Sequence, residues 1–260
     1  MKVTGRPVEV SAGETASSGK TAPEAKQGLA HLASEVSAVF ATVCFRTKFY
    51  HKVSTKGIYF EEVVGYVAGH AWLNDAVVSY VSDVITASQV GVHVLSSFVV
   101  DYEKFPSPPR STFISMKFIV LPANIKRSHW TLIVVAVHRY GVMTMHMYDS
   151  YVLHLGMPRD AHPFPANVDI EWLMSPAQPD GNSCGVMVAA MTYSFIYGGR
   201  GFTVDAVTRD VVKVMRLRLL WEILCGSRVE PIVAADKEEA TQIDKQLVSA
   251  FAKGSKRIWN

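Results

Sequence analysis

The stretch Gln178-Pro179-Asp180-Gly181-Asn182-Ser183-Cys184-Gly185, followed at once by an apolar run over residues 186–196, decides how this chain is read. A polar turn passes straight into a segment apolar enough for a buried helix, and a lone cysteine stands at the junction. Free cysteines usually behave as small buried hydrophobes. At a helix N-terminus, however, unpaired N–H groups and the helix dipole favour the thiolate, the form that attacks a carbonyl carbon.

Upstream, Ser128-His129-Trp130 and Tyr148-Asp149-Ser150 hold the partners such a thiolate needs. His129 precedes a run dense in β-branched residues, 131–137, and Asp149 follows an alternating run, 142–148. Both runs read as strands, with Tyr140-Gly141 as the turn between them. Antiparallel pairing of the two brings Asp149 beside His129, where a carboxylate fixes the imidazole tautomer and stabilises the imidazolium. His129 then serves as base for Cys184 and as acid for the leaving amine. Gln178 shares the turn with Cys184, and its side-chain N–H can join the backbone N–H of Cys184 in an oxyanion hole.

Taken singly, each residue has an ordinary structural reading. Cys184 is a core thiol, His129 a surface or core imidazole, Asp149 a turn residue, Gln178 a loop amide, and Trp72 and Trp130 are core or interface aromatics. Their order and settings together are what point to chemistry.

The bulk properties set bounds. A chain of 260 residues, 49% hydrophobic and only 19% charged, can bury a sizeable core. The formal net charge of +3 is too close to balance to indicate a nucleic-acid-binding face. Cys44, Cys184 and Cys225 are far apart and odd in number, which suits a reducing intracellular compartment, nucleus or cytoplasm, better than a disulfide framework. Neither a Cys-x-x-Cys pair nor a histidine cluster suggests a metal, so no metal or cofactor is expected. Residues 1–27 lack the apolar centre of a secretory signal, and no membrane span is expected.

Residues 1–27 read as a flexible lead-in, 28–226 as one domain, and 227–260 as a charged tail with some helical character, in which 253–257 is a short solvated basic cluster. Within the domain, helices are expected over 31–43, 76–85, 186–197 and 204–224, the second capped by Asn74 or Asp75. Residues 116–121 read as a further strand, and 169–174 as a strand or a helical turn. Loops are expected at 105–111 and 158–165. Helices, then strands, then helices give an α+β domain with the reactive segments at the junction of two lobes.

Four blocks then acquire a common meaning: Trp72-Leu73-Asn74-Asp75, Ser128-His129-Trp130-Thr131-Leu132, Tyr148-Asp149-Ser150 and Gln178 to Val186. Their order resembles that of the Ulp/SENP cysteine proteases, which remove SUMO and related ubiquitin-like modifiers, and the resemblance spans about residues 57–221. It implies a papain-like α+β fold with a central mixed sheet flanked by helices, acting as a monomer. It also implies His129 as base, Asp149 as its orienter, Gln178 as oxyanion donor and Cys184 as nucleophile. Trp72 and Trp130 would wall a narrow channel over the modifier's Gly-Gly tail, since only glycine lacks the Cβ that flat indoles exclude. Asp75 would meet a basic group of the modifier, or cap its helix, or both. Ser183 stands where many members carry an acidic residue.

The activity so implied is hydrolysis of peptide or isopeptide bonds after the Gly-Gly terminus of SUMO or another ubiquitin-like modifier. Two alternatives share the scaffold: a modifier-binding module without activity, and a Cys/His acyltransferase.

Overall fold

In this computed structural model, residues 22–52, 56–99, 115–137, 143–150, 168–173, 176–199, 201, 204 and 206–230 are described, with a few positions between 238 and 249. Helix α1 (Ala22–Thr42) begins inside the segment expected to be a lead-in and packs on the last long helix of the chain. Strands β1 (Lys48–His51) and β2 (Gly57–Tyr59) form an antiparallel hairpin. A short helix α2 (Phe60–Glu62) then runs into a π-helical turn, Val63–Val67, in which the N–H of Ala68 reaches back to the carbonyl of Val63. Such turns are rare and occur frequently near functional sites.

Helix α3 (Asp75–Thr86) starts where Asn74 caps it: the Asn74 Oδ1 accepts from the N–H of Val77 at 2.9 Å. Of the two caps that the sequence allowed, Asn74 is therefore the one used, and Asp75 sits in the first turn where a negative charge suits the helix dipole. Val77, Val78, Val81 and Val84 are buried, as their spacing requires of an amphipathic helix.

The larger sheet follows. Strands β3 (Val92–Val94), β4 (Phe118–Ile125), β5 (His129–Ala136), β6 (Met143–Tyr148) and β7 (Val168–Leu173) lie in that spatial order. The three central strands form an antiparallel meander, while each edge strand runs parallel to its neighbour. The sheet is thus mixed, and β7 settles as a strand the segment that the sequence left open between strand and helical turn. Leu132 pairs with Tyr148 across β5 and β6. Continued by one residue, that register sets Asp149 opposite Thr131, on the same face as His129 and diagonal to it.

Helix α4 (Cys184–Gly198) is the centre of the core. Its apolar residues recur on every side, from Val186, Met187 and Val188 to Met191, Phe195 and Ile196, and all of these are buried. It packs against β5 on one side and α3 on the other, which carries its first residue to the mouth of β5. Gly199 ends it in the left-handed conformation, φ 69°, donating to the carbonyl of Phe195.

Helix α5 (Arg209–Gly226) starts five residues later than its apolar spacing suggested. Thr208 caps it by accepting from the N–H of Val211, and Ala206 is held in a bridge to Ala177, so these two residues serve other bonds than a helix. Strand β8 (Ser227–Glu230) then pairs with β1, completing a three-stranded sheet in the order β2-β1-β8. The domain limit expected at residue 226 falls at the start of this pairing. The expected loops at 105–111 and 158–165, the turn at 140–141 and the basic cluster at 253–257 lie outside the described residues. No helix among the described residues is long and apolar enough to cross a membrane.

Candidate active site

Three elements deliver the three groups on which the chemistry depends. Cys184 is the first residue of α4, His129 the first of β5, and Asp149 immediately follows the last residue of β6. Because α4 packs on β5 and β5 pairs with β6, the groups meet although they are far apart in sequence. His129 Nε2 donates to Asp149 Oδ1 at 2.6 Å. A carboxylate only accepts, so the proton resides on Nε2 and leaves Nδ1 for Cys184, to which His129 is also hydrogen-bonded.

These contacts push the His129 pKa from 6.5 up to about 9. The hydrogen bond to Asp149 is the main cause and that to Cys184 the next, with burial opposing both. The imidazolium is therefore the favoured form at neutral pH, which is the partner a thiolate requires. Asp149 and Cys184 are both buried, so solvent screens little of this pairing.

The neighbours of Asp149 tie it to the turn that carries Cys184. Tyr148 donates its hydroxyl to the carbonyl of Pro176 at 2.6 Å, and burial pushes its pKa well above the usual phenol. Ser150 donates to Gln178 Oε1 at 2.6 Å, while the Gln178 N–H donates to the carbonyl of Ser150 at 3.1 Å. With Oε1 so engaged, the Gln178 amide is fixed in orientation. Its Nε2 donates to the carbonyl of Asp180, and an amide nitrogen carries a second proton that can serve an oxyanion. Burial acts to raise the Asp180 pKa, but hydrogen bonds from Ser183 and Asn182 outweigh it and hold the carboxylate below its ordinary range.

The Trp-Leu-Asn-Asp block lies across the start of α4. Trp72, 47% exposed, donates its indole N–H to the carbonyl of Gly181 at 2.9 Å. Trp130, 3% exposed, donates to the carbonyl of Leu73 at 2.7 Å. Leu73 itself presses on Gly185, where an added Cβ would sit only 3.0 Å from the Leu73 Cβ. Both indoles line one cavity of about 440 Å³ together with Tyr66, Asp75, Phe98 and Arg127. Trp72 is its exposed rim and Trp130 its floor. Asp75 Oδ1 accepts from the Ser97 hydroxyl at 2.9 Å and also faces this cavity.

The seven residues singled out in the sequence thus fall into two groups: Cys184, His129, Asp149 and Gln178 around the catalytic turn, and Trp72, Asp75 and Trp130 in the cavity lining, joined to that turn by the bond from Trp72 to Gly181. Ser150, which clamps Gln178, and Gly185, which admits Leu73, carry roles that the sequence did not assign. The signal for both was present, since each directly adjoins a residue already singled out. Arg216, buried in α5, had no such signal. Among the described residues, no group of three His, Cys, Asp or Glu side chains is placed to hold a metal ion.

No family model and no curated protein matches the chain by sequence. Solved structures do match by fold. The C-terminal Ulp1 protease domain in complex with Smt3, the yeast SUMO orthologue, superposes with a TM-score of 0.58 at 17% identity, over 75% of this chain and 95% of that one. The Ulp1-like SUMO protease catalytic domain of Chaetomium thermophilum gives 0.58 at 18% identity, over 75% and 89%. Ulp1 with its catalytic cysteine oxidised to a sulfenic acid gives 0.57 at 18% identity, over 75% and 94%. The fold is accordingly that of the Ulp1-type catalytic domain, an α+β cysteine protease fold. The expected architecture, with its central mixed sheet and flanking helices, is the one observed.

Proposed function

We propose that this chain is a cysteine protease that hydrolyses the peptide or isopeptide bond after the Gly-Gly terminus of SUMO or a related ubiquitin-like modifier. The observation that carries the reading is the hydrogen-bonded series Cys184, His129, Asp149, assembled from three separate elements beside a tryptophan-lined cavity. The proteases of like fold, one of them solved with a SUMO orthologue bound, support the class of substrate.

The Cys184 thiolate attacks the terminal glycine carbonyl, and the oxyanion accepts from Gln178 Nε2 and from backbone N–H groups at the α4 N-terminus. The His129 imidazolium gives its Nδ1 proton to the departing amine as the C–N bond breaks, leaving a thioester on Cys184. Neutral His129 then removes a proton from water, whose oxygen attacks the thioester carbonyl. The thiolate leaves, the glycine carboxylate is released and the imidazolium is restored. Asp149 keeps the ring in the tautomer that presents Nδ1 throughout. The indoles of Trp72 and Trp130 select glycine ahead of the bond, because any Cβ would meet their faces.

The test is a panel of ubiquitin-like modifiers, each carrying a C-terminal vinyl sulfone. One or more forms a covalent adduct with the chain, and Cys184→Ala forms none while still binding the same modifier. Binding without an adduct in the unaltered chain would establish a modifier-binding module instead, and labelling that depends on acetyl-coenzyme A would establish an acyltransferase.

A further inference from the structure

Residues 68–74, between the π-helical turn and α3, form an irregular segment that carries Trp72 over the catalytic turn. Apart from Leu73 and Asn74 its side chains are exposed, so packing alone does not fix it. Its position comes from a set of tethers. Trp72 donates to the carbonyl of Gly181, Asn182 donates its amide to the carbonyl of His70, and Trp130 donates to the carbonyl of Leu73. From beneath, Arg216 of α5 donates Nη1 to the carbonyl of Tyr66 at 2.9 Å and Nη2 to that of Ala71 at 2.8 Å.

Arg216 is 4% exposed, and it is the one buried cation among the described residues. Burying a guanidinium is costly unless its N–H groups are matched; here Nη1 and Nη2 are matched by two carbonyls that bracket the bend, while Nε has no hydrogen-bond partner among the described residues. Burial draws its pKa below the ordinary value, while the negative charges of Asp180 and Cys184 act in the opposite sense. The side chain therefore lies close to the turn that carries the nucleophile. A lysine has no fork: it supplies the charge but cannot span two divergent carbonyls in a fixed plane.

We infer that residues 68–74 are a strap whose placement over the catalytic turn is set by Arg216 and Asn182, making these two positioning residues for the tryptophan-lined channel. Its catalytic consequence rests on the function proposed above; the placement itself does not. A displacement of the channel wall by about 1 Å costs on the order of a hundredfold in rate when it misaligns a reacting bond.

The experiment uses the full chain labelled with 5-fluorotryptophan, with the Trp72 resonance assigned by its loss in Trp72→Phe. In Arg216→Lys and in Asn182→Ala the Trp72 fluorine resonance moves or broadens, while those of Trp172 and Trp221 stay in place. In the same variants kcat/KM on a Gly-Gly-terminated modifier amide falls roughly 10- to 100-fold. Alkylation of Cys184 by iodoacetamide, which needs no channel, stays within about twofold of the parent rate, as it would not if the variants merely unfolded. An unmoved Trp72 resonance in the folded variants overturns the inference, as does a parallel loss of alkylation and turnover. If Arg216→Lys fails to fold, Asn182→Ala decides alone, since that side chain is only partly buried. If the parent cleaves no modifier amide, the proposed function fails, and the fluorine spectrum still decides the strap.

Discussion

Replacing Asp149 by Asn tests the site at its most quantitative point. The substitution keeps shape and an acceptor oxygen but removes the charge that faces His129 Nε2 at 2.6 Å. His129 stands at about 9 against an ordinary 6.5. At about 1.36 kcal/mol per pH unit, that interval is on the order of 3 kcal/mol of added preference for the imidazolium. Asp149 contributes its largest cause, the hydrogen bond, and a charge attraction besides, while Cys184 supplies a smaller hydrogen bond and a smaller charge attraction. Assigning Asp149 about 2 kcal/mol gives a loss in kcat/KM that stays under about twofold at about pH 7 and approaches roughly thirtyfold above about pH 9.

The sign of the pH effect follows from the role. His129 must be protonated to release the amine, so activity is lost as pH rises through its pKa, near 9 in the parent. In Asp149→Asn this alkaline limb falls to about 7.5. Stability moves in the same sense: the contribution of a raised histidine is complete below about 6.5 and lost as pH rises through about 9. The assay is the pH profile of kcat/KM on a fluorogenic modifier amide, with circular dichroism to confirm folding. An alkaline limb that stays near 9 in folded Asp149→Asn would refute the assignment of Asp149 as the main cause.

Gln178→Ala lowers kcat by about 10²-fold with little change in KM, measured by steady-state kinetics; a loss under about twofold removes Gln178 from the oxyanion hole. Gly185→Ala places a Cβ 3.0 Å from the Leu73 Cβ. It costs about 1–3 kcal/mol, read as a lower urea midpoint at constant slope, and an unchanged midpoint would mean that Leu73 yields freely. Asn74→Ala removes the acceptor for the Val77 N–H and costs about 1 kcal/mol in the same urea titration; no loss would deny the cap its role.

Much of the site was legible because it depends on short-range patterns. A β-branched run marked β5 and an alternating one marked β6, and their antiparallel pairing alone sends Asp149 toward His129. An uninterrupted apolar run marked α4 as central, which placed Cys184 at a helix start. What stayed hidden depends on contacts between distant segments. The parallel pairings of β3 and β7 at the sheet edges leave no local trace, because a short strand reads alike in either direction. Arg216 sits in Arg216-Leu217-Arg218, a sequence that reads as a solvated helix face, and only the carbonyls of Tyr66 and Ala71 explain its burial. The later start of α5 is a case of capping and bridging overriding periodicity: Thr208 offers a cap that the apolar residues before it cannot match.

The bonds from Tyr148 to Pro176 and between Ser150 and Gln178 flank Asp149 on both sides and end on the turn that leads to Cys184. The strand that carries the carboxylate and the turn that carries the oxyanion donor are therefore one mechanical unit. Neither can fray while the other keeps its place. Heat or denaturant should then remove the nucleophile's environment and the histidine's support in a single event, so that loss of activity coincides with loss of the sheet and leaves no partly active, loosened form.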